Sequence, residues 1–219
     1  KTKIVKMADH GVPQNRVRVV MLGTRRDLPA ELDAYHPAET HSSRPDEKLL
    51  PRVPISVALA QVTHARKELG SLPNDRASEY KVAYRNFTGH RKTDSAKPCP
   101  TILARGDGGG GVCAIPHPNG KRRLTVRESA WMHGFPMGYE FAGALNSQYR
   151  QVGNAVPVEY GRRLGLMLKG LERKLRALPT KEDSRPRVVS LFSGAGGMDI
   201  GFARAGFREG RHRGGRTRL

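Results

Sequence analysis

The sequence predicts an α/β protein, in which part of a Rossmann-like sheet accompanies a small, irregular and mostly β domain. Residues Arg187–Phe207 have the pattern of a buried strand, a glycine turn and the start of a helix, RVVSLFSGAGGMDIGFARAGF. Residues Val17–Leu22 are mostly apolar and rich in valine, which predicts a second buried strand. From residue 29 to 97 proline, histidine, serine and charged residues dominate, so we expect an irregular, surface-rich region there.

The charge of the chain indicates a nucleic-acid partner. Its 219 residues carry a formal net charge of +19, which favours a polyanion; a ribosome-like basic protein and a charge that serves only solubility are the alternatives. Cys99 and Cys113 have no metal-ligand spacing and the eight histidines are scattered, so we expect no metal site and a reducing cytoplasm. No apolar run reaches membrane-spanning length, so we expect no membrane partner.

Polar side chains lead into the first valine-rich strand. Gln14, Arg16 and Arg18 occupy alternate positions, which places them on one face of an extended backbone. This face is either a binding surface or the solvated side of an edge strand.

Helices are predicted at three places by local signals. Residues Ile55–Leu69 lie between a proline and a glycine and form one amphipathic stretch. Thr125 and Glu128 have the spacing of a capping box, so a short helix begins there. Pro157 can occupy the first turn of a long helix, in which leucines recur at helical spacing at positions 164, 168, 171 and 175.

The segments between these elements are rich in glycine or in charge. Two short strands are predicted within Pro98–Thr125, around a glycine loop at Gly106–Gly111 and before a turn at Pro118–Gly120. Residues Pro179–Pro186 are a polar linker, and Arg208–Leu219 are mainly arginine and glycine, so we expect a disordered tail.

The glycine turn at Ser193–Gly197 is the first candidate binding site. Such a turn lets backbone N–H groups approach a ligand at a helix N-terminus. Turns of this kind serve nicotinamide, flavin, nucleotide and S-adenosylmethionine sites alike, so the turn alone leaves the ligand open. The acidic residue expected at the end of a following strand does not occur in the chain, and the half-site is incomplete as written.

Four separate stretches resemble sequence blocks of the DNA cytosine-5 methyltransferase family. Residues Phe192–Gly197 are similar to its first block, which binds the cofactor, and Pro13–Arg18 to its Gln-x-Arg-x-Arg block. Residues Arg123–Pro136 resemble the ninth block, and Gln151–Pro157 resemble the tenth. The resemblance extends over nearly the whole chain except Pro29–Lys97 and the tail, and the variable middle corresponds to the family's target recognition domain.

The resemblance implies a partial S-adenosylmethionine-dependent methyltransferase sheet with a target recognition domain. It implies double-stranded DNA as the partner, S-adenosylmethionine as the cofactor, and the cytoplasm or nucleoid of a prokaryote with a restriction-modification system as the setting. Enzymes of this family flip the target cytosine out of the duplex and methylate carbon 5 of its ring. Their nucleophile is the thiolate of a Pro-Cys-Gln block, and the glutamate of a Glu-Asn-Val block assists.

The resemblance also implies roles for single residues. Arg18 would contact the cytosine ring, with Arg16 and Gln14 supporting the site, and arginine suits this role because it stays charged and has planar donors. The residues implied for the cofactor are Phe192, Ser193, Gly194, Ala195, Gly196, Gly197, Asn154 and Ala155. Those implied for DNA are Thr101, Arg123 and Arg127.

Two parts of the family's pattern do not occur in this sequence. It contains neither Pro-Cys-Gln nor Glu-Asn-Val. Cys99 lies in Pro-Cys-Pro after the arginine strand, and we interpret it as structural and not as the nucleophile. We therefore expect this chain alone not to methylate DNA. A second polypeptide with both blocks would complete it; the alternatives are a non-catalytic DNA-binding subunit and a gene fragment.

The order of the blocks is changed, since the first block follows the tenth. A permuted enzyme, a split enzyme, or two genes run together with a frameshift in the tail would each give this order. The domain organisation we predict is the end of the catalytic domain at 1–28, the recognition region with the ninth-block helix at 29–135, a return to the catalytic domain at 136–178, the linker at 179–186, the cofactor-binding strand, turn and helix at 187–207, and the tail at 208–219.

Overall fold

A computed structural model of the chain describes residues 1–24, 26, 34–77, 93–104, 114–175, 187–188, 190 and 194–209. Several sequence predictions lie outside these residues: the glycine loop at 106–111, Cys113, the linker at 179–186, Phe192, Ser193 and the tail from residue 210 onwards.

The chain begins with a two-stranded antiparallel pair. Strand β1 (Thr2–Lys6) pairs with β3 (Val17–Met21), and a short 3₁₀ helix (Met7–His10) and strand β2 (Gln14–Asn15) lie between them. The predicted valine-rich strand is therefore present, but the prediction that it is buried is wrong. In the described part of the chain β1 and β3 pair only with each other, and nothing covers the face that carries Ile4, Val17, Val19 and Met21.

The recognition region contains one short parallel strand pair, a further strand that pairs with β2, and a helix. Strand β4 (His41–Ser42) pairs with β5 (Leu50–Pro51), and β2 pairs with β6 (Cys99–Pro100). Helix α1 spans Ile55–Leu69, as the sequence predicts. The turn at residues 118–120 is also confirmed.

Helix α2 (Val126–Met132) packs against α1 and begins with the predicted capping box. The Thr125 hydroxyl accepts from the Glu128 backbone N–H at 3.0 Å, and the Glu128 carboxylate accepts from the Thr125 N–H at 2.8 Å. The same carboxylate is fully buried and accepts from Arg66 and Arg122 at 2.8 and 2.7 Å. Burial opposes ionisation, but the hydrogen bonds from the two arginines lower the pKa of Glu128 below its ordinary value. Glu128 therefore fixes α2 to α1.

Three further helices complete the described fold. Helix α3 (Leu145–Asn154) was not predicted, and α4 (Val158–Leu175) begins directly after Pro157, as predicted. Helix α5 (Gly197–Arg204) follows the glycine turn. Strand β7 (Arg187–Val188) pairs in parallel with β8 (Arg208–Glu209). The prediction of disorder is thus wrong for the first two residues of the tail, because they pair with the predicted cofactor-domain strand.

Glycines allow α4 and α5 to approach each other closely. A Cβ atom built on Gly201 of α5 would lie closer than 3.0 Å to the backbone of Val158 and Gly161 on α4. A Cβ atom on Gly197 would meet the Val156 carbonyl in the same way. The two apolar cores of the described protein meet here, since α5 gives Ile200 to the core around α1–α3 and Phe202 to the core around α4 and β1.

Each helix in the described part of the chain is too short or too polar to cross a membrane.

Replacing Gly201 by alanine tests the contact between α4 and α5. We expect the substitution to lower the free energy of unfolding by about 1 to 3 kcal/mol, because the added methyl group meets backbone atoms that cannot move aside. Gly170→Ala on α4 is the matched control, since no atom lies within 4 Å of the position that its Cβ would take. The control should be neutral or stabilise by about 0.5 to 1 kcal/mol. Urea unfolding measures both, and equal effects would contradict the close contact.

Candidate functional site

Arg16 joins three segments that are distant in sequence. Its guanidinium donates to the carbonyl of Ile102 at 3.0 Å and to the carbonyl of Gly153 at 3.1 Å. The side chain is 5 % exposed, and burial, followed by the nearby charge of Arg18, lowers its pKa to about 10. Arg16 thus stays charged at neutral pH and holds the segment at Ile102 and the end of α3 against the connection between β2 and β3.

Gln14 binds the same segment from the other side. Its side-chain oxygen accepts from the Ile102 N–H at 3.1 Å, and its amide nitrogen lies 3.3 Å from Nδ1 of His133. Gln14 is fully buried, and burial lowers the pKa of His133 to about 3, so this histidine is neutral. Both polar groups of the Ile102 backbone are therefore held by side chains of the Gln-x-Arg-x-Arg stretch.

Arg18 has a different environment from Arg16. It is exposed, and its guanidinium donates to the carbonyl of Val17 at 2.7 Å. Both arginines line one cavity of about 350 Å³. The two arginines therefore lie at one cavity, but they differ in burial: Arg16 is buried and bonded to two backbone carbonyls, whereas Arg18 is exposed.

The cavity also brings together residues from the Gln-x-Arg-x-Arg and tenth blocks. Asn154 and Ala155 line it beside Arg16 and Arg18, and α5 contributes Met198. Asn154 is the exposed last residue of α3 and follows Gly153, whose carbonyl Arg16 holds. The remaining wall is largely apolar and consists of Met7, Val19, Val20, Met21, Val156, Pro157, Tyr160 and Leu164.

The glycine turn lies beside the tenth-block segment. Gly194 and Gly196 have positive φ values of 58° and 73°, a conformation that favours glycine, and Gly196 is the N-cap of α5. The carbonyl of Ala195 accepts from the Tyr139 hydroxyl at 2.8 Å. Gly197 packs against the carbonyl of Val156. The first and tenth blocks are therefore neighbours in space, although the first follows the tenth in sequence.

Arg127 and Arg123 require a correction. Arg127 is fully buried and donates to the carbonyls of Pro73, Pro136 and Tyr139. Arg123 is 3 % exposed, and its guanidinium stacks 3.8 Å from the ring centre of Tyr149. In this conformation neither side chain can reach a DNA phosphate, so we assign both a structural role in place of the predicted contact with DNA.

Thr101 and Cys99 lie where the recognition region returns to β2. The Thr101 hydroxyl donates to the carbonyl of Asn15 at 2.6 Å, which leaves its oxygen lone pairs as acceptors and ties this segment to the arginine strand. Cys99 is fully buried, and burial raises the pKa of its thiol, so a reactive thiolate is disfavoured there, in agreement with the sequence interpretation.

Sequence reasoning missed the side chains that connect the blocks. Tyr139 holds the glycine turn, His133 packs on Gln14, and Tyr160 lines the cavity. His133 lies within the ninth block and the two tyrosines lie just after predicted blocks, but no spacing pattern distinguishes the three from core residues. Among the described residues, no group of three or more His, Cys, Asp or Glu side chains is placed to hold a metal ion.

Comparison with known proteins shows the family of the chain. The profile of the C-5 cytosine-specific DNA methylase family matches residues 1–98 and 62–169. The chain belongs to this family. The profile match ends at residue 169, before the glycine turn. Residues 192–197 of this methylase chain are therefore assigned to the first block only because their sequence resembles that block and because the turn lies beside the tenth-block segment.

Bacterial and plant relatives match the methylase chain over different lengths. The type II methyltransferase M.NgoFVII of Neisseria gonorrhoeae is 29% identical over 177 residues, which cover 72% of this chain and 46% of that protein. The type II methylase M.HgiDII of Herpetosiphon aurantiacus is 26% identical over 216 residues, 85% of this chain and 58% of that protein. The DNA (cytosine-5)-methyltransferase CMT2 of Oryza sativa subsp. japonica is 53% identical over 55 residues, 25% of this chain and 4% of that protein. The chain thus spans about half the length of the type II relatives.

Replacing Arg16 and replacing Arg18 in the methylase chain should have different effects on the free energy of unfolding. Arg16→Ala leaves the carbonyls of Ile102 and Gly153 without their donor, so we expect the free energy of unfolding to fall by about 2 to 4 kcal/mol. Arg18→Ala removes an exposed side chain and should change it by less than about 0.5 kcal/mol. Urea unfolding of both variants measures the difference. Equal losses would mean that Arg16 is not the anchor that the geometry indicates.

Proposed function

We propose that this chain is the recognition and cofactor-binding part of a DNA cytosine-5 methyltransferase. It binds double-stranded DNA and S-adenosylmethionine, and a second polypeptide with the Pro-Cys-Gln and Glu-Asn-Val blocks completes its active site. One observation carries the proposal: Arg16, Arg18, Asn154 and Ala155, from two separate blocks, line one cavity.

The residues present fit the cofactor that the family implies. A cavity of about 350 Å³ lies within the range of small-molecule sites, roughly 300 to 1,000 Å³. The left-handed Gly196 and the close packing of Gly197 bring backbone to the start of α5, which is where a helix N-terminus favours polar ligand groups. When bound, S-adenosylmethionine supplies the methyl group. Asn154 and Ala155, which line the cavity, would contact it there.

Arg18 is the residue of this chain that we assign to the target nucleotide. Its guanidinium lies at the cavity and is exposed, whereas that of Arg16 is occupied by two carbonyls. A fixed planar cation can hold the polar edge of a flipped base or its phosphate. Arg16 and Gln14 act by positioning, because they fix the backbone on either side of the cavity.

The exposed apolar face of β1 and β3 supports the proposal that a second polypeptide packs against this chain. Ile4 and Met21 are 66% and 76% exposed, and Val17 and Val19 lie on the same face. A two-stranded pair is marginally stable alone and normally packs against further strands or a helix. The only cysteine in the described residues, Cys99, is buried away from solvent, so we assign the nucleophilic thiolate to that second polypeptide.

The second candidate function is DNA binding without chemistry. The net charge of +19 favours it, and so does the absence of both catalytic blocks from the sequence. The two candidates differ in cofactor binding, since a pure DNA-binding subunit has no need of S-adenosylmethionine.

Binding measurements test the proposal. We expect the chain to bind S-adenosylhomocysteine in calorimetry and a short DNA duplex in a salt titration, with the slope of log affinity against log salt steeper by about 0.9 for each phosphate contact. Arg18→Ala should weaken DNA binding, whereas Arg173→Ala, an exposed arginine near the end of α4, is the matched control.

Each outcome selects between the candidates. A slope near zero would overturn both, because neither can function without DNA. DNA binding without any heat from S-adenosylhomocysteine would favour the DNA-binding subunit.

A further inference from the structure

Tyr160 has a buried hydroxyl without a hydrogen-bond partner among the residues that the structure describes. The residue lies in the first turn of α4 and is 1 % exposed. Tyr160 is one of the residues that line the same cavity as Arg16 and Arg18. Burial raises the pKa of Tyr160 to about 12, so the hydroxyl keeps its proton and can donate as well as accept.

Other buried tyrosines of the described fold have partners for their hydroxyls. Tyr149 donates to the carbonyl of Leu124 at 2.7 Å, and Tyr139 donates to the carbonyl of Ala195 at 2.8 Å. An unpaired buried hydroxyl costs free energy, which is why such groups are rare unless a ligand or water completes them. Tyr160 is therefore an exception, and it occurs at the cavity.

Packing holds the ring of Tyr160 in place. The His10 ring meets it edge-on, with the ring centres 5.1 Å apart and the planes inclined by 70°. Burial, followed by the charge of Arg163, lowers the pKa of His10 to about 4, so this neighbour is neutral at physiological pH. His10 is 2 % exposed, which leaves the Tyr160 ring little room to turn its hydroxyl towards solvent.

We propose that the Tyr160 hydroxyl is a ligand-binding group of the cavity and hydrogen-bonds to a nucleoside-sized ligand that also meets Arg18. The inference rests on the proposed function and adds a binding residue outside the four sequence blocks. The walls define the class of ligand: Leu164 and Met198 offer apolar surface to a ring, whereas the guanidinium of Arg18 and the amide of Asn154 select polar or anionic substituents. A cofactor nucleoside and a nucleotide of DNA share this chemistry.

The substitution Tyr160→Phe tests the inference, because it removes the hydroxyl and keeps the ring. Two probes distinguish the source of the nucleoside: S-adenosylhomocysteine and deoxycytidine 5′-monophosphate, each titrated by calorimetry. We expect an affinity loss of about tenfold for one of the two probes, since a ligand group loses its partner. The midpoint of thermal unfolding without ligand should stay the same or rise, because the hydroxyl has no partner in the described fold to lose.

Tyr149→Phe is the matched control. It deletes a buried hydroxyl that has a partner in the chain, so it should lower the unfolding midpoint and leave both affinities unchanged. The two variants are thus expected to have opposite effects on stability and on binding, which a purely structural role for Tyr160 would not produce.

The outcomes separate this inference from the proposed function. If wild type binds at least one probe and Tyr160→Phe binds each probe with the same affinity as wild type, the inference is wrong and the proposed function stands. If Tyr160→Phe destabilises the free chain as Tyr149→Phe does, the hydroxyl has a structural partner and the inference is again wrong. If wild type binds neither probe, the inference and the ligand-binding part of the proposed function are both overturned.

Discussion

The close contact between α4 and α5 is the constraint on which the candidate site depends. Gly161 on α4 and Gly201 on α5 lie at this contact, and Cβ atoms at these two positions would press on the opposite helix. Gly165 likewise packs against Phe202 and Ala205 at the end of α5, and Gly197 packs against the Val156 carbonyl just before α4. The absence of side chains there lets the glycine turn lie beside the tenth-block segment. Because α5 also contributes to both apolar cores, the glycine turn is part of the folded protein and not an appendage.

A second constraint is the attachment of the recognition region to the arginine strand. Gln14 and Arg16 hold the two polar groups of the Ile102 backbone, and Arg16 also holds Gly153. Because these bonds are buried, a change in the recognition region's end would move the cavity wall. In this way the recognition region, which we propose binds DNA, is mechanically coupled to the cavity, which we propose holds the target base. Arg18 takes no part in this coupling and is exposed at the cavity.

Local signals in the sequence predicted the local structure well. The helix Ile55–Leu69 and the capping box of α2 depend on neighbouring residues, and both are confirmed. Burial depends on residues far away in the chain, so the sequence could not show that Arg127 is enclosed by three carbonyls or that β3 is exposed on one face. The resemblance drew attention to the arginine and tenth blocks, which both line the cavity, but it did not predict that they meet there, and Tyr160 has no motif to mark it.

The central claim is that this chain supplies the base and cofactor contacts but not the nucleophile. Transfer of tritiated methyl groups from S-adenosylmethionine to DNA tests it most directly, with the chain alone and with the chain mixed with a polypeptide that carries the Pro-Cys-Gln and Glu-Asn-Val blocks. We predict no transfer by the chain alone, transfer by the mixture, and a strong loss when the mixture contains Arg18→Ala. Methyl transfer by the chain alone, or full activity of the mixture with Arg18→Ala, would contradict the account.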